Sequence, residues 1–123
     1  MCGELFMKRK RVLYAEDDPA NRKLLQIKLE RVGIGCDVVE DGRSAMKMFE
    51  DCEYDALILD QYMPEMDGEE VAATIRCSHP DIPLIAVTSD DSLKSDLFGA
   101  GFDEVLVKPL RGNEIVDLIK SHL

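Results

Sequence analysis

Several features that would define a function class are missing from this chain. No two of the four cysteines, Cys2, Cys36, Cys52 and Cys77, stand at a CxxC spacing. Cys52 falls within an apolar helical stripe. The pattern points away from a disulfide scaffold or zinc site and toward reduced thiols. The two histidines, His79 and His122, have no metal-ligand partner at a fitting spacing. There is no GxxxxGK(S/T), so nucleotide binding through a P-loop is not supported. After the basic run Lys8 to Arg11, only Val12 to Ala15 is apolar before acids begin. That is neither a signal-peptide core nor a membrane span, and the basic run reads as a solvated strand entrance. Positive charge is in deficit: 15 Lys and Arg against 25 Asp and Glu give a net charge of −10. This disfavours non-specific binding to nucleic acid or an anionic membrane. Long linkers, low-complexity tracts and internal repeats are also missing.

What is present fits one globular domain. The 123 residues are 46% apolar and 33% charged, enough for a single core. Residues 1–9 read as a tail and residues 10–123 as the domain, in which strand-like and helix-like patterns alternate. Val12 to Ala15 is a short buried strand. Asp18 and Pro19 then signal a helix start, Leu25, Leu29 and Val32 give its apolar face, and Gly33 stops it. Cys36 to Val39 is the second strand. Asp41-Gly42 opens a helix with Ala45, Met48, Phe49 and Cys52 inward. Residues 56–60 form the third strand, and a helix over about 68–77 carries Val71, Ala72 and Ile75. Ile82 to Thr88 is the fourth strand, and a helix over about 91–99 buries Leu93 and Leu97. Glu104 to Val107 is the fifth strand. The last helix, over about 111–122, turns Ile115, Leu118 and Ile119 inward.

Five βα units with continuous apolar strands imply an α/β fold with a parallel sheet covered on both faces. Right-handed crossovers favour the flavodoxin-like, doubly wound order 2-1-3-4-5 with five helices. The switch point then lies between strands one and three, and ligands bind at such points. Glu16 and Asp17 end strand one, Asp60 ends strand three, Thr88 ends strand four and Lys108 ends strand five. Three carboxylates about 5 Å apart would repel by about 3 kcal/mol per pair at an effective dielectric near 20. Either one acid takes up a proton or a hard divalent cation binds, and oxygen ligands with room for water suit Mg²⁺. Together the set reads as a nucleophilic Asp60 with three supports for a phosphoryl group: the metal, the Lys108 ammonium and the Thr88 hydroxyl.

Val12-Leu13-Tyr14-Ala15-Glu16-Asp17-Asp18, Asp60-Gln61-Tyr62-Met63-Pro64-Glu65-Met66-Asp67-Gly68, Thr88-Ser89 and Lys108-Pro109-Leu110 follow one another in a specific order and spacing. Over residues 10–122 the chain resembles the receiver domain of bacterial two-component response regulators, also found in hybrid sensor kinases. The resemblance implies that Asp60 accepts a phosphoryl group from a phosphohistidine of a histidine kinase or phosphotransfer protein. It implies that Glu16, Asp17 and Asp60 hold Mg²⁺ with the backbone carbonyl of Tyr62, that Thr88 carries the switch hydroxyl, and that Lys108 contacts the phosphoryl group. Asp18 reads as a cap. The Lys108–Pro109 bond is often cis in this family. The sequence departs from the family at Val105, where a Tyr or Phe is usual, and at Ser89, where Ala or Gly is common. Tyr62 is bulky and is expected to slow hydrolysis of a phosphorylated Asp60.

The expected function is a cytoplasmic signalling domain rather than an enzyme with turnover. It would switch contacts with a downstream protein, bind neither nucleic acid nor membrane directly, and be a monomer or a phosphorylation-dependent dimer. No output segment follows Leu123, so it would be a stand-alone receiver or one cut from a longer chain. The alternatives are a pseudo-receiver that takes no phosphate and a phosphatase of the haloacid-dehalogenase type. The latter needs an acid where Tyr62 stands.

Overall fold

The computed structural model describes residues 9–110 and 113–123. The expected tail, residues 1–9, lies outside the described residues except for Arg9, as do the first two residues expected in the last helix. The strands are β1 (Arg11–Ala15), β2 (Gly35–Val39), β3 (Ala56–Asp60), β4 (Leu84–Thr88) and β5 (Glu104–Val107). The helices are α1 (Pro19–Arg31), α2 (Gly42–Asp51), α3 (Gly68–Ser78), α4 (Lys94–Gly99) and α5 (Glu114–Ser121). All strands pair in parallel in the order β2-β1-β3-β4-β5. The expected fold class is the one observed.

The alternation of a strand's side chains separates two cores. Leu13, Ala15, Leu57, Leu59, Leu84 and Ala86 face α2, α3 and Leu97 of α4. Val12, Tyr14, Ala56, Ile58, Ile85 and Val87 face α1 and α5. Both faces are covered, so the strands read as unbroken apolar runs. Each fully buried aliphatic side chain contributes about 1.5–3 kcal/mol relative to exposure.

Short acidic caps set where three helices begin. Asp18 accepts from the Ala20 N–H at 3.0 Å, Asp41 from Ser44 at 2.7 Å and Asp67 from Glu70 at 3.0 Å. Each satisfies an orphan donor of a first helical turn. Gly68, first in α3, packs directly on β3: a Cβ there would collide with the backbone carbonyl oxygen of Asp60.

Four sequence expectations need correction. Val32 is 45% exposed, because α1 ends at Arg31 and Val32 is its C-cap, off the helical stripe. In α5 the buried set is Ile115, Val116 and Ile119, with Leu118 only half-buried. Arg11 is not a solvated entrance residue. Its guanidinium meets Asp37 at 2.7 Å, and Tyr54 Oη donates to the same carboxylate at 2.6 Å. Cys36 and Cys77 are free thiols as expected, but Cys52 is disulfide-bonded.

The amino end of the sheet is held by a second guanidinium. Arg76, near the end of α3, donates to the carbonyls of Pro80 (2.8 Å), Ile82 (2.7 Å) and Gly101 (2.8 Å). It also pairs with Asp103 at 3.0 Å, and Asp103 accepts the Leu84 N–H at 2.9 Å. One side chain thereby ties α3 to the segments that enter β4 and β5.

Candidate functional site

At the carboxyl end the hydrogen-bond ladder runs one residue past β1, β3 and β5. Glu16 N–H donates to Val39, Gln61 N–H to Val87 and Lys108 N–H to Thr88, at 3.0, 2.9 and 2.8 Å. The polar residues at these ends are therefore held by backbone, not carried on loose loops. Glu16 is fully buried, Asp60 is 6% exposed and Thr88 is 1% exposed, whereas Asp17 is exposed.

Lys108 Nζ lies 2.8 Å from Glu16 Oε1 and 3.2 Å from Asp60 Oδ2, so one ammonium bridges two carboxylates. Tyr14 Oη donates to Glu16 Oε1 at 3.1 Å, and the Asp18 N–H to Oε2 at 3.3 Å. Glu16, Asp17 and Asp60 each offer one oxygen, all within 4.8 Å of one another. Oxygen donors in this number suit a hard divalent cation that keeps water ligands.

The charge balance agrees with that fit. Burial, followed by the hydrogen bond and charge of Glu16, pushes Asp60 up to about 7 despite Lys108. Burial alone would raise Glu16 as well, but its bonds to Asp60 and Lys108 outweigh burial and hold it below the ordinary value. Burial opposes the charge on Lys108, and the Glu16 and Asp60 carboxylates more than compensate, raising its pKa. Two buried acids share one lysine, an arrangement that a divalent cation would relieve.

The other expected members are placed less simply. Thr88 reaches the same rim, but its hydroxyl is hydrogen-bonded to Gln61 Oε1 at 2.8 Å. The Tyr62 side chain is 66% exposed beside Asp60. Val105 is buried in the core on the α2–α4 face. The Lys108–Pro109 bond is cis. Asp18 caps α1, and Glu65 takes a left-handed φ of 71° in the turn after Asp60. His79 lies edge-on to Phe49 with centroids 4.8 Å apart, and His122 pairs with Glu104 at 3.1 Å. Neither histidine is part of the acid cluster.

Sequence reasoning passed over the side chains of Tyr14 and Gln61. One signal was available for each. Tyr14 lies in a run buried on both faces, so its hydroxyl needs a partner. Gln61 extends a buried strand by one residue, so its amide needs partners too.

The response regulator receiver domain profile matches residues 12–120. The chain belongs to the response regulator receiver family. This receiver domain is 36% identical over 113 residues to the transcriptional regulatory protein QseB of Haemophilus influenzae, covering 90% of this chain and 51% of that protein. It is 33% identical over 115 residues to the response regulator MprA of Mycolicibacterium vanbaalenii, covering 92% of this chain and 50% of that protein. The chain thus spans about half the length of these curated relatives. Among solved structures, the response regulator TrrA of Thermotoga maritima, in complex with Mg²⁺-BeF, superposes with a TM-score of 0.86 at 37% identity, covering 93% of this chain and 99% of that chain. The receiver domain of a sensor histidine kinase from Pseudomonas aeruginosa, with magnesium coordinated in its active site cleft, gives 0.82 at 28% identity, covering 92% and 96%.

Proposed function

We propose that this receiver domain is a phosphoryl-accepting switch whose acceptor is Asp60. The observation that carries the reading is the position of Asp60: buried at a strand end, it touches Lys108 and lies within 4.8 Å of Glu16 and Asp17 oxygens. In the proposed step, an Asp60 carboxylate oxygen forms a bond to the phosphorus of a phosphohistidine. The phosphorus–nitrogen bond breaks, and the imidazole leaves with the electron pair. Lys108 then contacts one phosphoryl oxygen, and the Thr88 hydroxyl donates to another. Glu16, Asp17 and Asp60 would hold Mg²⁺, with the backbone carbonyl of Tyr62 as a further ligand. A bound divalent cation supplies charge neutralisation for the acids and the incoming phosphoryl group.

The partner on the donor side is a histidine kinase or phosphotransfer protein, and the output is an altered contact with a downstream protein or a second copy. The chain catalyses only its own phosphoryl transfer and dephosphorylation. The reading places the domain at residues 10–123, in the cytoplasm. Among the described residues, no helix is long and apolar enough to cross a membrane.

Incubation with acetyl phosphate and Mg²⁺, followed by intact mass measurement, tests the reading. One added phosphoryl group is expected in the wild type and in Asp55→Asn, and none in Asp60→Asn. An Asp60→Asn protein that still gains the group, or a wild type that never does, overturns it.

A further inference from the structure

Gln61, next after Asp60, is 5% exposed. Its side chain bridges two elements: Nε2 lies 3.3 Å from Glu69 Oε1 in α3, and Oε1 lies 2.8 Å from Thr88 Oγ1 at the end of β4. Chemistry decides which end of the amide faces which partner. An ionised carboxylate only accepts, so the NH₂ must face Glu69 and the carbonyl must face Thr88. A carbonyl also only accepts, so Thr88 is the donor. Its hydroxyl carries one proton, and it already accepts the Asp90 N–H at 3.1 Å. That single proton is committed to Gln61.

We infer that Gln61 is a positioning residue: its carbonyl holds the Thr88 proton in the unphosphorylated state and must release it before Thr88 can donate to a phosphoryl oxygen. The inference rests on Asp60 being the phosphoryl acceptor. An equilibrium shifts only by the difference in interactions between its two states. The Gln61–Thr88 bond belongs to one state alone. Without it, Thr88 is left as a buried donor with no acceptor until a phosphoryl group arrives. Glu69 takes part from a distance, because its charge fixes the orientation of the amide.

The test is a beryllofluoride titration of the full chain in Mg²⁺, read by calorimetry, with melting temperatures measured alongside. Gln61→Met keeps length and volume but removes the acceptor. It is expected to tighten apparent beryllofluoride binding about three- to tenfold. It should also lower the melting temperature more without beryllofluoride than with it. Glu69→Gln, an exposed site, lets the amide turn round and should tighten binding in the same direction. Both gains should vanish in a Thr88→Val background, where a bare charge effect at position 69 would persist. Unchanged or weaker binding in Gln61→Met, with a responding wild type, overturns the latch alone. So does a gain that survives Thr88→Val. If Gln61→Met fails to fold, Glu69→Gln decides by the same criterion. A wild type without any Mg²⁺-dependent response overturns the acceptor reading, and the latch with it.

Discussion

The two ends of the sheet treat charge in opposite ways. At the amino end two carboxylates each have a guanidinium of their own. Asp37 has Arg11 and the Tyr54 hydroxyl, and Asp103 has Arg76 and a backbone N–H. At the carboxyl end Glu16 and Asp60 share the one ammonium of Lys108, with Asp17 close by. Asp37 and Asp103 are matched one to one, whereas the buried acids at the carboxyl end are not. The amino end is a structural joint. The carboxyl end is a deficit of positive charge held in place by the backbone, and that deficit is what a divalent cation would fill.

Removing one cation from each end separates the two. The largest effect is expected from Lys108→Met in chelator, which leaves the fully buried Glu16 without a counter-charge. Breaking such a pair costs about 3–5 kcal/mol, measurable by urea unfolding, and Mg²⁺ should return part of it. A loss under about 1 kcal/mol would show that the two acids do not depend on the lysine.

Next in size is a pH effect confined to the carboxyl end. Asp60 is raised from 3.8 to about 7, so the folded chain keeps a proton that the unfolded chain gives up in that interval. Stability should therefore fall as pH rises from about 4 to about 7, by at most on the order of 3 kcal/mol. Glu16, held below 4.5, acts in the other direction: its contribution is lost as pH falls through its lowered value. Asp60→Asn should abolish the decline toward neutral pH. A decline that persists in this variant would assign it to another group.

The smallest effect is expected at the amino end. Arg76→Ala removes four contacts, three of them to backbone carbonyls, and should cost about 2 kcal/mol. Mg²⁺ and pH near neutrality should leave this loss unchanged. A Mg²⁺-dependent loss would mean that the two ends are not independent.

Much of this contrast was legible in the chain itself. Four apolar residues ending on Asp60, and the same at Glu16, announce strands that deliver acids to one edge. Asp18-Pro19 and Asp41-Gly42 mark helix starts that the structure keeps. What could not be read depends on contacts between distant segments. Residues 115, 116 and 119 make as good a helical stripe as 115, 118 and 119, and only the sheet decides between them. Arg11 looks like part of a basic run until Asp37 arrives from β2, 26 residues away. The direction of the Thr88 proton depends on Gln61, and that of the Gln61 amide on Glu69. No local pattern carries such a chain of dependence.

Arg76 has a mechanical consequence. By pinning the segments that enter β4 and β5, it makes this edge of the sheet a beam clamped at one end. Thr88 sits at the opposite end, where its hydroxyl oxygen also holds the first N–H of the Asp90–Leu93 turn. A displacement begun at Thr88 is expected to be damped toward Leu84 and Asp103. Its amplitude should be greatest at residues 89–93 and fade to nothing at Arg76, so the clamp turns a small local tug into a swing with a fixed pivot.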